Sequence, residues 1–154
     1  MQKHINANIT AKQVVQIVET KNRYQICGSS DIATMESNRL AQTLKALHVP
    51  SQPLILANVW DIASLNLVLS INNDSSKLVK AIATASWAFA VSLGIKDEEL
   101  TMEQNLAAIQ SLAPTVARAG LPLSVDLQDG YGHRISEAVA EAVQAGAHGA
   151  NLEN

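Results

Sequence analysis

Three oxygen-bearing side chains close two apolar stretches of the sequence. Asp126 and Gln128 lie at the end of the run 121–127, and Glu153 follows the run 147–152. Alternate side chains of an extended strand share a face, so Asp126 and Gln128 should lie side by side. A buried carboxylate and amide cost free energy unless hydrogen bonds or a cation compensate them. Since Mg²⁺ prefers oxygen ligands, with waters completing its shell, these residues predict a magnesium site, with Mn²⁺ as the alternative ion.

The same stretch also has a simpler interpretation as a turn. Acidic side chains often cap tight turns, and Gly130 and Gly132 give residues 129–132 the composition of a sharp loop. The residues around Asp126 are therefore compatible with either a ligand site or a turn cap. No cluster of Cys and His residues has zinc spacing, which argues against a site for a softer metal.

A second group of candidate residues comprises Thr84, Ala85 and Ser86. They lie where the apolar run 79–83 passes into a short predicted helix, and backbone N–H groups at such a turn can bind a carboxylate or another oxyanion. A divalent ion and amide groups acting on one oxyacid would stabilise an enolate, because both oppose the negative charge that develops on its oxygen.

Four apolar runs, each a predicted strand, must position these residues: 54–59, 79–83, 121–127 and 147–152. Predicted helices separate them, so we expect a parallel sheet with outer helices and all strand C-termini at one edge. Both a doubly wound sheet and the first part of a (β/α)8 barrel fit this alternation. A complete barrel usually needs about 250 residues, so the barrel interpretation of these 154 residues implies only its N-terminal half.

Several residues mark expected helix ends. Asp61 and Ser136 are predicted N-caps, and Thr101 with Gln104 forms a predicted capping box. Pro114 should kink or restart the helix that follows Thr101.

Residues 1–36 are expected to form a partly helical extension, and residues 37–154 the partial barrel domain. Within the extension, Thr10 is a candidate cap for a helix over 11–21. Ser37 is the predicted cap of a clearer helix over 38–48.

Composition excludes several classes of protein. A net charge of −3 and a pI near 5.7 give no reason to expect nucleic acid or an anionic membrane as a partner. No run of about 18 apolar residues is present, and the N-terminus lacks the apolar segment of a signal peptide. The single cysteine, Cys27, excludes an internal disulfide. We therefore expect a cytoplasmic protein.

Five segments, in order, resemble the N-terminal half of the isocitrate lyase/phosphoenolpyruvate mutase superfamily, above all its phosphonomutase-like and oxaloacetate-decarboxylase-like members. Each segment falls at a strand end or in the loop that follows it. They are PLILANVWD (53–61), AIATAS (81–86), SLGIKD (92–97), VDLQDGYG (125–132) and AGAHGANLEN (145–154).

The resemblance implies a (β/α)8 barrel that binds Mg²⁺ and a small 2-oxo acid, enol acid or phosphonate, and that makes or breaks C–C or C–P bonds. Asp126 falls on the principal metal-ligand position. Gln128 falls where the family has an acid that acts on the metal through water, and Glu153 on a further acid of the metal shell.

The resemblance also assigns residues that contact the substrate. Asp97, which by itself would be a solvated loop acid, falls on an acid that borders the substrate and metal and is the candidate catalytic residue. Thr84, Ala85 and Ser86 fall on the segment that binds substrate oxygens. Trp60 closes the first matching strand as a further candidate contact, although a tryptophan there is more often a packing residue.

Departures from the family pattern leave two functions open. Gln128 removes one negative charge, Asn154 stands where an Asp is common, and the sequence given stops before a fifth strand. The first hypothesis is a Mg²⁺-dependent lyase or mutase. The alternative is a catalytically inactive half-barrel that serves as a binding or oligomerisation module. An open half-barrel exposes strand edges and apolar surface, so we expect a homo-oligomer.

Overall fold

A computed structural model describes residues 30–73 and 75–153, so the helix predicted over 11–21 and its Thr10 cap lie outside the described residues. Five helices and four strands alternate along these described residues. In order they are α1 (Ser30–Leu47), β1 (Ala57–Val59), α2 (Ile62–Leu69), β2 (Ile82–Thr84), α3 (Ser86–Leu93), α4 (Met102–Arg118), β3 (Leu123–Asp126), α5 (Ile135–Ala145) and β4 (Gly149–Asn151). Single 3₁₀ turns, Asp97–Glu99 and Gly132–Arg134, precede α4 and α5.

The four strands form one parallel sheet in the order β1-β2-β3-β4. Val59 pairs with Thr84 across β1 and β2, and Asp126 pairs with Asn151 across β3 and β4. Because every strand runs the same way, their C-terminal ends share one edge, as the sequence predicts. Each strand is shorter than its apolar run. Leu127, one residue beyond β3, is buried in the core and still donates its N–H to the Asn151 carbonyl of β4 at 3.0 Å.

Apolar side chains, most of them aliphatic, fill the space between the sheet and helices α2–α5. The cluster includes Leu65 of α2, Phe89 of α3, Ile109 and Leu112 of α4, and Val125 of β3, all of them almost fully buried. Burial of each such side chain stabilises the fold by about 1.5–3 kcal/mol. This packing fixes the helices against the sheet and thereby fixes where each strand ends.

Helix α1 reaches the sheet through its own apolar stripe. Leu40, Ala41 and Leu44 of this helix are buried. A Cβ atom placed on Gly149 of β4 would lie 2.6 Å from Leu44 Cδ2, so glycine at this position allows the close approach. Helix α1 crosses residue 36, and the expected domain boundary there stays a prediction.

Two predicted helix caps are confirmed and two are wrong. Asp61 caps α2 in a reciprocal pair with Ser64, and Thr101 does the same for α4 with Gln104. Ser37 instead lies inside α1, because Ala33, Met35 and Glu36 are good helix formers that extend the helix to Ser30.

The second wrong cap is Ser136, which lies inside α5. The 3₁₀ turn Gly132–Arg134 leads directly into Ile135, and Arg134 occupies the cap position. Its side chain bonds to Glu137 and makes no capping hydrogen bond to the helix backbone.

Pro114 does not interrupt α4, which continues to Arg118. Proline removes one hydrogen bond to the carbonyl four residues earlier, here that of Gln110. Gln110 and Pro114 are both exposed, so water can replace the lost donor. In the described ranges, no helix has both the length and the apolar character needed to cross a bilayer.

Candidate functional site

Asp126 joins the ends of β2 and β3. Its Oδ2 accepts a hydrogen bond of 2.9 Å from the backbone N–H of Ser86, and its own N–H donates to Thr84 Oγ1 at 2.9 Å. Its Oδ1 accepts a third bond, 3.0 Å, from the N–H of Gln128. Thr84 and Ser86 are buried, at 2% and 1% exposed. The carboxylate is therefore fixed in position by two adjacent strand ends.

The turn from Thr84 to Ser86 does bind a carboxylate, but the carboxylate belongs to the protein. Ser86 begins α3, and the N–H that opens a helix carries partial positive charge that favours an anion. The Asp126 carboxylate accepts the hydrogen bond from that N–H. Contact of a substrate with Thr84, Ala85 and Ser86 stays a prediction.

Gln128 turns away from the strand and holds the loop before α4. Its backbone is left-handed, with φ of 51°, because β3 ends at Asp126. It therefore does not continue the strand face on which the sequence placed it beside Asp126. Its Nε2 donates to the backbone oxygen of Asp97 at 2.8 Å and to Asp97 Oδ1 at 3.2 Å. This contact brings Asp97 to the edge where Asp126 lies.

Glu153 completes the group from the end of β4. Its backbone N–H donates to the carbonyl of Gln128 at 2.7 Å, while its residue surface remains exposed. Partial desolvation raises the pKa of the Glu153 carboxyl, and the negative charges of Asp126 and Asp97 raise it further. Glu153 therefore lies within the electrostatic field of both other acids, and the four predicted residues of the metal and acid group meet at one edge of the sheet.

The oxygen-bearing side chains at this edge suit a hard cation whose coordination shell is completed by other oxygen ligands. Within the described part of the chain, no three or more His, Cys, Asp or Glu side chains are arranged to hold one ion. Mg²⁺ is usually bound through one or two carboxylates, with waters and substrate oxygens supplying the rest. Asp126 and Glu153 supply carboxylates and Gln128 an amide oxygen. Desolvation contributes most to the raised pKa of Glu153, and a cation would relieve the repulsion from Asp126 and Asp97 that raises it further.

Asn105 and Tyr131 also belong to this edge, and the sequence analysis missed both. Asn105 is 0% exposed on the core face of α4, and its Nδ2 donates to the carbonyl of Asp126 at 2.8 Å and to Tyr131 Oη at 2.7 Å. Burial raises the pKa of the half-buried Tyr131 phenol. The signal was present in the sequence: a lone amide interrupts the apolar face formed by Met102, Leu106 and Ile109.

The end of β1 has a different character. Asp61 accepts from the N–H of Ser64 at 2.6 Å, and this backbone hydrogen bond lowers the pKa of its carboxyl. Trp60 is 44% exposed, and its backbone N–H donates to Ser64 Oγ. Both residues are thus engaged within their own loop, and the role of Trp60 as a substrate contact stays a prediction.

A cavity of about 370 Å³ lies at the opposite, N-terminal edge of the sheet. It is lined by residues of α1, α2 and the segments that enter β2 and β3, among them Leu47, Leu69, Lys77 and Lys80. It contains none of the predicted site residues. The polar edge around Asp126, rather than this cavity, is the candidate site.

Comparison with known proteins identifies the family. Residues 44–154 match the profile of the phosphoenolpyruvate phosphomutase family. A solved structure from Burkholderia cenocepacia J2315, described provisionally as a lyase/mutase, is 31% identical and superposes with a TM-score of 0.64. The match covers 76% of this chain and 40% of that one. A search of curated protein sequences found no match.

A second solved structure agrees in fold. It is 2,3-dimethylmalate lyase, a member of the phosphoenolpyruvate mutase/isocitrate lyase superfamily, with 19% identity and a TM-score of 0.61. The match covers 77% of this chain and 39% of that one. The described chain thus spans about 40% of the length of these two structures, which confirms the expected partial barrel with four parallel strands. By its profile match and its 31% identical relative, the chain belongs to the phosphoenolpyruvate mutase/isocitrate lyase superfamily.

Proposed function

We propose that this chain carries the metal-binding half of a Mg²⁺-dependent lyase or mutase that acts on a C–C or C–P bond of a small 2-oxo acid or phosphonate. The observation that carries the proposal is the convergence of Asp97, Asp126, Gln128 and Glu153 at one strand edge, in a chain of a family of phosphomutases and lyases. A cytoplasmic location is part of the same proposal.

Asp126 is the proposed direct ligand of Mg²⁺ or Mn²⁺. Two backbone N–H groups orient its carboxylate and leave each oxygen with further lone pairs for a cation. Glu153 and Gln128 would act on the ion through bound water. When bound, the ion opposes negative charge on an enolate oxygen of the substrate.

Asp97 is the proposed catalytic residue. Its Oδ1 accepts from Gln128 Nε2, and its Oδ2 has no hydrogen-bond partner among the described residues, so that oxygen can give or take a proton. Thr84, Ala85, Ser86 and Trp60 are the proposed contacts that orient the carboxylate or phosphonate of the substrate.

A direct test uses oxalate, which resembles the enolate of a 2-oxo acid. We expect the melting temperature of the chain to rise when Mg²⁺ and oxalate are added together, because ligand binding stabilises the native state. Asp126→Asn should abolish the rise, and Asp61→Asn, which alters an acid at another strand end, should leave it intact. No rise in the unmodified chain would contradict the proposal.

A second candidate, an oligomerisation module without activity, is favoured by exposed apolar surface. Ile55, Leu67, Leu78 and Trp87 are between 64% and 86% exposed, and in the described chain β1 and β4 each pair with only one strand. Exposed edges and apolar patches of this kind favour association with a second copy. Light scattering during gel filtration should then show a dimer or larger oligomer, and a soluble monomer would rule this out.

A further inference from the structure

The buried amide of Asn105 uses both of its donors. Burying an amide among apolar side chains costs free energy that hydrogen bonds must offset. Nδ2 donates both its protons, to the Asp126 carbonyl and to Tyr131 Oη, while Oδ1 accepts no hydrogen bond from the described residues. Because the Asp126 carbonyl can only accept, the nitrogen must face it, and the orientation of the amide is determined.

This orientation decides the direction of the Tyr131 hydroxyl. Its oxygen already accepts a proton from Asn105, so its own O–H is available as a donor. Among the described residues, no hydrogen-bond acceptor receives that proton. The hydroxyl of the half-buried Tyr131 and the Asp126 carbonyl both accept from Asn105 Nδ2, so the hydroxyl lies beside the end of β3.

The backbone holds Tyr131 in place at some energetic cost. Tyr131 is left-handed, with φ of 60°, a conformation that non-glycine residues adopt infrequently. Asp129 Oδ1 accepts from its N–H at 2.8 Å. At Gly130 an added Cβ would lie 3.1 Å from Ile135 and 3.3 Å from Leu152, so the turn is closely packed. Strained positions of this kind persist where the surrounding structure enforces them, often at functional sites.

We propose that Tyr131 is a substrate-binding residue, which donates its hydroxyl proton to an anionic oxygen of the bound acid, and that Asn105 is the residue that positions it. The inference rests on the proposed function, since it requires an oxyacid bound at the edge around Asp126. The ligand class is a carboxylate or enolate oxygen, because a neutral phenol donates most strongly to a charged acceptor.

Tyr131→Phe removes the hydroxyl alone and is the main test. Calorimetric titration of oxalate in saturating Mg²⁺ should show a dissociation constant raised about tenfold or more in this variant, the effect expected for a lost hydrogen bond to a charged group. Thr115→Val, which removes a hydroxyl from the other end of α4, should leave the constant unchanged.

Carbon-13 NMR of tyrosine labelled at Cζ gives a second, independent measurement. The chain has two tyrosines, Tyr24 and Tyr131, so the resonance missing from Tyr131→Phe belongs to Tyr131. Oxalate with Mg²⁺ should shift that resonance. An unchanged resonance together with unchanged affinity in Tyr131→Phe would overturn this inference alone, whereas no oxalate binding by the unmodified chain would overturn the proposed function and this inference with it.

A double-mutant cycle separates positioning from general stability. Asn105→Ala should weaken oxalate binding, and the same change in a Tyr131→Phe background should weaken it no further, because the hydroxyl to be positioned is already absent. A full additional loss in the double variant would show that Asn105 acts only through the fold and would overturn its positioning role. Should Asn105→Ala fail to fold, Asn105→Ser, which keeps a smaller donor, takes its place in the cycle.

Discussion

Two aspartates occur at strand ends of the same sheet edge, and the fold uses them in opposite ways. Asp61, after β1, accepts from the N–H of Ser64 three residues away and closes the first turn of α2. Asp126, at the end of β3, is bonded to Ser86 and Thr84, 40 and 42 residues away. One carboxylate is engaged locally and stays exposed, while the other connects two strands.

This difference separates a helix cap from a candidate ligand site. A cap satisfies one loop and can be replaced by another polar residue at modest cost. A carboxylate held by two strand ends is fixed relative to Asn105, Gln128 and the acids around it, as binding requires. Position at a strand end is therefore insufficient to predict a site, and the origin of the hydrogen-bond partners is the better criterion.

The largest effect that distinguishes the two aspartates should come from Asp126→Ala. This variant leaves the N–H groups of Ser86 and Gln128 without their acceptor. We expect the free energy of unfolding to fall by about 2–4 kcal/mol, since an unsatisfied buried donor carries its full desolvation cost. Urea denaturation measures this loss. Asp61→Ala should lower the free energy of unfolding by less, and equal losses in the two variants would contradict the difference between the two aspartates.

Thr84→Val tests the strand-to-strand connection from the other side. The substitution keeps the shape of the side chain, which is 2% exposed, but removes the oxygen that accepts from the Asp126 N–H. The free energy of unfolding should fall by about 1–2 kcal/mol in the same urea assay. Thr115→Val, outside this contact, should have little effect, and a neutral Thr84→Val would mean that the N–H finds another partner.

Gln128→Glu should make the stability of the site edge depend on metal. A carboxylate at this position would face Asp97 Oδ1, which lies 3.2 Å from the present amide nitrogen, and would repel it. We expect a lower melting temperature than that of the unmodified chain in EDTA, with recovery on addition of Mg²⁺. Gln104→Glu is the matched control, because an acid can serve equally in the capping box with Thr101. A lowered melting temperature of Gln128→Glu that Mg²⁺ does not raise again would contradict the expectation.

The smallest effect concerns Glu153 and depends on pH. Its pKa in the folded chain is raised above the ordinary 4.5, so the folded state binds the proton more tightly than the unfolded state does. The resulting relative stabilisation is fully present below pH 4.5 and is lost as the pH rises through the folded pKa. Glu153→Gln should therefore melt slightly higher than the unmodified chain at pH 8 and equally at pH 4.

Added Mg²⁺ should reduce the difference in melting temperature between Glu153→Gln and the unmodified chain at pH 8, since a cation offsets the repulsion of Glu153 by Asp126 and Asp97. Glu141→Gln, at an exposed position on α5, serves as control. A lower melting temperature for Glu153→Gln at pH 8 would have the wrong sign and would contradict a pKa raised by desolvation and by the charges of Asp126 and Asp97.

The sequence was sufficient for much of the fold. Apolar runs of strand length, separated by helical periodicity, predicted four parallel strands in order. Asp61 and Thr101 were correctly predicted as caps because their partners lie three residues away. Ser37 and Ser136 were wrongly predicted as caps, since residues suited to a cap are also tolerated inside a helix when packing extends it.

The sequence predicted that four candidate residues would lie at one edge, but it predicted neither their hydrogen bonds nor the place of Asn105 among them. Motif resemblance indicated Asp97, Asp126, Gln128 and Glu153, and the structure places them at one edge. The resemblance gave no reason to expect that Ser86 would donate to Asp126, or that Gln128 would turn away from its strand to bind Asp97. Asn105 was overlooked because a lone amide on an apolar helical face indicates a buried polar group but does not identify its partners.

The sequence by itself determined the order of strands and helices, the local caps and the chemistry available at the strand ends, because each depends on residues a few positions apart. Only the tertiary structure decided which polar groups meet. Three of the bonds at Asp126, those with Asn105, Ser86 and Thr84, join residues 21 to 42 positions apart, and their formation depends on how α4 and the strands pack against each other. Periodicity in the sequence specifies that packing only in outline, since hydrophobic burial has no direction whereas a hydrogen bond requires one.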